Sequence, residues 1–399
     1  MLSFRDPIHG FIRADKLESE LINSRPMQRL RFVHQLGLTY MIFPGAEHSR
    51  FSHVLGTMHL AGRVYDALAQ KSGGRLDPDP RSRTRRLVRV AALLHDVGHA
   101  PMSHVAEDLF EDGIDHEGMT RLLLTMPELE EIFDEHGEGL KPIDVVRVLQ
   151  KEATDGDEIL SDIITGELDV DKMDYLLRDS LYCGVRYGNY DLERLLDTVV
   201  PIVDPETGRA RIGVERGGIH ALEALVMARY YMFTQVYFNA TGKVMELHFN
   251  EWLRNEGRQW PSDPEAFLKH DDVTVTAEMR GSDNIHARAI IDRRRFKTAF
   301  ETGEHLSLEE QDRFRKLLPE IHALFADHGE ALLVDHSAKN PHRLGDSRVL
   351  VQGYEGELLP VAEASDFVNH MSRIACFRVY APAEIRNEVR AAIRERWTE

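Results

Sequence analysis

Val88 through Leu94 is an apolar run broken only by Arg89, and it ends on the dipeptide His95-Asp96. A run of that character reads as a buried helix. Such a helix carries an imidazole and a carboxylate into the interior, where a polar group without a partner is costly. The chain must therefore supply both a core and a partner for these two side chains. A divalent cation is such a partner, because neutral imidazole nitrogen and ionised carboxylate oxygen are its natural ligands. Consecutive helical residues point about 100° apart. With Gly98 and Pro101 close behind, however, a frayed helix end lets both side chains turn toward one ion. The simpler alternative is a helix C-terminus meeting solvent.

Further ligands must come from distant parts of the chain. His53 stands near the start of an apolar helical pattern, within Glu47-His-Ser-Arg-Phe-Ser-His53. Asp171 lies in Leu168-Asp-Val-Asp-Lys-Met-Asp-Tyr175, which has helical periodicity. At 3.6 residues per turn Asp171, Tyr175 and Asp179 fall on one stripe, with Arg178 beside them. The stripe either lines a pocket or is a solvated face held by charge pairs, and the segment taken alone favours the solvated face.

Ordered blocks run through the first part of the chain: Asp6-Pro-Ile-His-Gly10, Gln28-Arg-Leu-Arg31, Gln35-Leu-Gly37, Phe43-Pro-Gly-Ala46, His48-Ser-Arg-Phe-Ser-His53, His95-Asp-Val-Gly-His99, Ser103-His104, His116-Glu117 and Asp169-Val-Asp-Lys-Met-Asp-Tyr175. Together they resemble the HD-domain phosphohydrolases, and within them the deoxynucleoside triphosphate (dNTP) triphosphohydrolases, from about residue 4 to residue 250. So many blocks in order are far more specific than any single motif. The resemblance implies that His53, His95, Asp96 and Asp171 ligate one divalent ion. A thiolate-free set of this kind suits Mn, Mg, Fe, Ni, Co or Zn, and a further Mg can arrive with the nucleotide. It also implies proton-transfer roles for His99, His104 and His116, phosphate contacts from Arg50 and Lys172, and sugar contacts from Gln35, Tyr175 and Asp179.

The same resemblance extends to Ala228-Arg-Tyr-Tyr-Met-Phe-Thr-Gln-Val-Tyr237, where Tyr237 is either a base-stacking residue or part of a core aromatic helix. Two departures stand out. Asn239, Ala240 and Thr241 occupy the stretch where many relatives carry His and Lys or Arg, which weakens the phosphate grip. Asn23 stands where allosteric relatives use an acidic residue to read guanine; an amide offers a donor as well as an acceptor.

With 49 basic against 67 acidic residues the net charge is −18, so a site for a triphosphate must be locally cationic, through Arg50, Lys172 and the metal. The acidic balance also disfavours a broad nucleic-acid surface. The basic runs Arg81-Ser-Arg-Thr-Arg-Arg-Leu-Val-Arg89 and Arg293-Arg-Arg-Phe-Lys297 leave local polynucleotide binding as the weaker reading. No signal-peptide pattern and no membrane-length apolar run are present, so the default location is cytoplasmic. Cys183 and Cys376 form neither a CxxC pair nor a disulfide framework, as suits a reducing compartment.

The expected architecture is mainly α. A helical HD-domain core occupies residues 1–260, and a smaller α+β C-terminal domain occupies residues 261–399. The break falls at Trp260-Pro-Ser-Asp-Pro264, after a helical region from about Gly218 to Arg258. Beyond it Val273-Thr-Val-Thr276, Ala287-Arg-Ala-Ile-Ile-Asp292, Ala331-Leu-Leu-Val-Asp335 and Cys376-Phe-Arg-Val-Tyr380 read as short β-runs. The segment from Ala383 to Trp397 reads as a closing helix. By analogy with relatives this region supports a homo-oligomer, dimer or tetramer. The expected activity is metal-dependent hydrolysis of a dNTP to deoxynucleoside and tripolyphosphate. The alternatives are an HD phosphohydrolase acting on nucleoside mono- or diphosphates or nucleic-acid ends, and a dNTP-sensing module without turnover.

Overall fold

A computed structural model describes residues 2–153, 157–328, 332–340 and 349–397, with the side chains of His104 and Asp108 outside the described set. The chain is mainly α, and its residues gather into two compact units that alternate along the sequence. The first comprises Met1–Met232, Trp260–Asp272 and His342–His370; the second comprises Phe233–Gln259, Val273–Pro341 and Met371–Glu399. A single division near residue 260 is thus replaced by an interleaved one, in which the segment just after the expected break belongs with the N-terminal residues.

In the first unit six helices carry the site: α1 (Arg50–Lys71), α2 (Arg83–Leu94), α3 (His116–Leu124), α4 (Pro142–Leu149), α5 (Glu158–Thr165) and α6 (Val170–Tyr182). The apolar run forms the buried part of α2, where Leu87 through Leu94 are all buried, and His95 is its C-cap residue. Helix α1 packs against both α2 and α6. Gly56 permits the second contact, since a Cβ there would stand 1.9 Å from Asp174 Oδ1. The unit also holds an antiparallel hairpin, Leu2–Asp6 with Gly10–Ala14. A four-stranded sheet pairs Val199–Val203 and Ala210–Glu215 antiparallel and sets the latter parallel to Leu350–Gln352.

Three arginines of the first basic run, Arg85, Arg86 and Arg89, are engaged within the chain. Arg85 pairs with Asp66 at 2.6 and 2.8 Å, Arg86 with Glu138 at 2.9 Å and Arg89 with Glu18 at 2.6 and 2.9 Å.

The second unit is built on a three-stranded antiparallel sheet with Ile374–Ala381 between Lys297–Glu301 and Leu333–Lys339. Every residue of the central strand is buried. Helices Leu308–Leu324 and Arg386–Arg396 contribute Phe314, Ile321, Val389 and Ile393 to one cluster with Phe377 and Val379, while Tyr380 and Leu333 meet Val244 and Phe296 in another. The expected strand at Cys376–Tyr380 is therefore the sheet's centre. The run at Ala331–Asp335 corresponds to Leu333–Lys339, Ala331 itself lying outside the described residues.

Two other expected strands are helices. Val273–Thr276 lies in Asp272–Gly281, and Ala287–Asp292 overlaps Ile285–Ile291, whose Asn284 cap accepts from His286 N. Runs of four to six residues rich in Val, Ile and Thr do not distinguish strand from helix by periodicity, and β-branched propensity is weak enough for packing and capping to override.

His248 and His286 are wholly buried in the second unit, with Nδ1 atoms 2.8 Å apart, and Phe296 N donates to His248 Nε2 at 3.1 Å. The acceptor at Nε2 assigns the His248 proton to Nδ1. Burial, reinforced by His286, pushes the His248 imidazole down to about 3. Folded His248 is therefore neutral, whereas the unfolded residue protonates near pH 6.5. Its contribution is complete above that pH and is lost as the pH falls toward 3, at about 1.4 kcal/mol per pH unit for one proton. Urea midpoints between pH 4 and 7 should fall less steeply in His248→Asn than in the wild type; parallel slopes would count against the assignment.

Candidate active site

The site grows from three helix termini. Helix α1 begins at Arg50 and places His53 in its first turn. The end of α2 supplies His95 and, in the turn beyond it, Asp96 and His99. Asp169 caps α6 by accepting from Lys172 N, which sets Asp171 in that helix's first turn. His53 Nε2 lies 3.0 Å from Asp171 Oδ1 and 3.8 Å from Asp96 Oδ2. His95 Nε2 lies 3.2 Å from Asp96 Oδ1 and 3.7 Å from Asp171 Oδ1. The frayed end of α2 thus turns both members of the dipeptide toward residues more than 40 positions upstream and 70 downstream.

The other ring nitrogens fix the tautomers. His53 Nδ1 donates to Asp174 Oδ2 at 2.9 Å and His95 Nδ1 to Ala92 O at 2.8 Å. Each Nε2 therefore directs a lone pair at carboxylate oxygens, and both Nε2 atoms are buried without a hydrogen bond of acceptable geometry. Lone pairs facing carboxylates need a cation between them. In the metal-free chain a proton takes that place: burial opposes the charged imidazole, but Asp171 and Asp174 outweigh it and raise His53 to about 10. Burial likewise pushes the Asp171 carboxyl up, and His53 and His95 override it to hold the group far below the carboxylate range. Among the described residues His53, His95 and Asp171 offer ligand atoms that all lie within 4.8 Å of one another. The donor set, its convergence and its orphaned nitrogens fit a divalent ion, with Asp96 adjoining.

Behind His53 stands a buried charge cluster to which the sequence assigns no role. Asp174 is fully buried and accepts from His53 Nδ1, from His9 Nε2 at 2.7 Å and from Arg178 Nε and Nη2 at 2.7 and 2.9 Å. Arg178 reaches on to Asp6 at 2.9 Å, and Asp6 Oδ1 takes the amides of Ile8 and His9, forming the turn that presents His9. A carboxylate behind a ligating imidazole fixes ring orientation and raises ligand basicity. The available signal was the i, i+3 spacing of Asp171 and Asp174, but the same spacing equally describes an exposed charged helix face.

Of the other expected residues, Arg50 is buried; its guanidinium bonds Asp96 Oδ2, and its Nε donates to Ser103 Oγ at 2.9 Å. His99 Nε2 is 3.2 Å from Asp96 Oδ1. His116 begins α3, is held to Glu107 Oε1 at 2.6 Å, and stacks on His99 with ring centroids 4.3 Å apart. Gly98 makes that stacking feasible, because a Cβ there would stand 2.2 Å from His116 O. Burial pushes His116 down, but Glu107 outweighs it and the ring is raised. His99, Glu107 and His116 form a second group with ligand atoms within 4.8 Å of one another. The His104 side chain lies outside the described residues.

A cavity of about 320 Å³ is lined by Gln35, Arg50, His95, Asp96, His99, His116, Asp171 and Tyr175, and by residues of α4 and α5 including Val146 and Ile164. Gln35 Oε1 is buried without a hydrogen-bond partner among the described residues, an acceptor suited to a ligand hydroxyl. Asp179 is buried and accepts from His48 Nε2 at 2.8 Å, so the α6 stripe faces protein and cavity and is no solvated face. Lys172 holds Gly166 O at 2.9 Å and the Asp169 carboxylate. Tyr237 belongs to the second unit, where its ring meets Phe233 edge-on at 5.2 Å.

The HD domain model matches residues 50–179, a span that begins at Arg50, ends at Asp179 and contains the whole His/Asp cluster, and the HD associated region model matches residues 191–397. The chain belongs to the HD-domain phosphohydrolase family, a family of metal-dependent hydrolases. An uncharacterized protein of Bacillus subtilis is 38% identical over 283 residues, or 69% of this chain and 62% of its own length. A deoxynucleoside triphosphate triphosphohydrolase of Gallus gallus is 35% identical over 226 residues, or 49% of this chain and 36% of its own length. The chain thus spans less than two thirds of the length of either relative. The crystal structure of a hypothetical protein from Aquifex aeolicus superposes with a TM-score of 0.81 at 30% identity, over 98% of this chain and 99% of that one. A Bacteroides thetaiotaomicron phosphohydrolase, 24% identical with a TM-score of 0.76 over 95% of this chain and 99% of that one, shares the fold.

Proposed function

We propose that the chain hydrolyses dNTPs to deoxynucleoside and tripolyphosphate, using His53, His95, Asp96 and Asp171 to hold one divalent ion. The observation that carries this is a cavity lined by His95, Asp96 and Asp171, by Arg50 and by Gln35, whose carbonyl is buried without a partner among the described residues. A bound ion of this kind polarises a phosphoryl oxygen and lowers the pKa of water. The chain's own groups do the rest. Arg50 neutralises phosphate charge, exchanging part of its contact with Asp96 for the substrate. Gln35 and Tyr175 receive the sugar hydroxyls. His116, steadied by Glu107, donates the proton that the O5′ leaving group takes as its bond to the α-phosphorus breaks, an effect worth about 10²- to 10⁴-fold. The resemblance of the ordered blocks to dNTP triphosphohydrolases supports the substrate assignment.

Each dNTP incubated with Mn, Mg, Fe, Ni, Co or Zn should give deoxynucleoside and tripolyphosphate on chromatographic resolution, with the reaction suppressed by a chelator. Mono- or diphosphate products would replace this reading with another HD phosphohydrolase activity. Tight dNTP binding with no product under any metal would make the chain a sensor.

A further inference from the structure

The segment Trp260–Asp272, which spans the expected domain break after residue 260, belongs to the first unit and is bonded along the loop that follows His99. Trp260 N donates to Leu109 O at 2.8 Å, Glu111 N donates to Trp260 O at 2.9 Å, and Trp260 Nε1 donates to Ala106 O at 3.0 Å. Arg29 joins the segment to the catalytic turn, donating to His270 O at 2.7 Å and to His99 O at 2.9 Å. The segment ends on Asp272, which is 2% exposed.

The two oxygens of Asp272 hold two separate segments of the chain, at Met102 and at His34. Oδ1 accepts from Met102 N at 2.7 Å. Oδ2 accepts from His34 N at 2.8 Å and His34 Nδ1 at 2.6 Å. Met102 and Ser103 both have φ of 59°, left-handed backbone that costs a non-glycine residue energy and persists only where neighbours enforce it. Ser103 Oγ, placed by that turn, donates to His34 O at 2.6 Å and accepts from Arg50 Nε, whose guanidinium in turn bonds Asp96. Gln35 follows His34 directly in the chain. One carboxylate therefore closes a ring of bonds that sets the His34–Gln35 edge, the Met102–Ser103 turn and, through Ser103, the Arg50–Asp96 pair.

We infer that Asp272 is a positioning residue of the active site, supplied from the HD-associated region, which holds Arg50, Asp96 and Gln35 in register without touching substrate. As a positioning role for a reaction, it rests on the hydrolase reading above. Loss of this clamp displaces catalytic groups while leaving the partners of His53 and His95, Asp174 and Ala92 O, in place. A misplacement of about 1 Å can cost about 100-fold in rate.

The test compares Asp272→Asn with wild type, and Ser103→Ala as a second variant that breaks the next link and leaves Asp272 intact. In Asp272→Asn, amide exchange in peptides covering residues 33–36 and 99–105 should quicken about tenfold or more, as expected for lost carboxylate hydrogen bonds, with other peptides unchanged. Turnover should fall about 100-fold with KM changed less than about threefold and metal content held; Ser103→Ala should shift kcat in the same direction. Unchanged exchange at those two segments overturns the inference, as does quickened exchange with unchanged kcat, or a kcat loss that only tracks lost metal. If the wild type releases products other than tripolyphosphate, the dNTP reading fails, and the same comparison is made on the phosphate ester it does cleave. A wild type that cleaves no phosphate ester removes the role altogether.

Discussion

An Asp171→Ala variant should lose its metal and its activity together. Asp171, like Asp96, is an acidic group that both His53 Nε2 and His95 Nε2 face, and Asp171 and the two histidines offer ligand atoms within 4.8 Å of one another. Without it the imidazoles retain their Nδ1 partners, Asp174 and Ala92 O, so the rings stay in place while the ion loses a charged ligand. Removing a mere supporting residue typically costs 10- to 100-fold in metal affinity, and losing a ligand should cost about 100-fold or more. Turnover should then drop about 1,000-fold or more, because the metal's contribution to such reactions is several kcal/mol and each 1.36 kcal/mol is tenfold. Elemental analysis of the dialysed protein, with turnover at saturating metal, reads both effects. A variant that keeps its metal and stays within tenfold of wild-type turnover would move the ion elsewhere, with His99, Glu107 and His116 as the next group to examine.

The second large effect concerns stability as much as chemistry. Asp174→Ala would leave Arg178, which is 0% exposed, with Asp6 at 2.9 Å as its remaining carboxylate partner among the described residues, and would strip His9 and His53 of their acceptor. Breaking a buried pair from one side costs about 3–5 kcal/mol, a large share of the 5–15 kcal/mol that typically separates folded from unfolded chains. Asp174→Asn keeps the shape and one acceptor, so it should lose less stability while still weakening metal binding about 10- to 100-fold. Urea unfolding and metal titration of the two variants separate the contributions. Equal stability of wild type and Asp174→Ala would mean that the cluster is hydrated in solution and holds nothing.

The local half of the site was legible before the fold. The run Val88–Leu94 announces a buried helix, and its end at His95 is where the structure turns two polar side chains inward. The stripe of Asp171, Tyr175 and Asp179 was legible as a stripe, but whether it faced water or protein was not. Periodicity says which residues share a face and nothing about what that face meets. Asp174 shows the same limit: its carboxylate meets His9, which is 165 residues away, and His53, which is 121 residues away. The short β-branched runs at Val273–Thr276 and Ala287–Asp292 failed for a different reason, since a few residues carry too little pattern to outweigh packing and caps.

The sequence by itself determined the mainly helical class, the buried end of the Arg83–Leu94 helix and, through ordered motif blocks, the identity of the candidate ligands. Only the tertiary structure decided how those ligands are held. It placed Asp174 behind His53, set a clamp from Asp272 across the His34 and Met102 segments, and interleaved two units where one boundary was expected. The physical reason is that periodicity and capping act over a few residues. Burial of a charge is satisfied by whatever partner the fold brings within about 3 Å, at a sequence separation that no local pattern encodes.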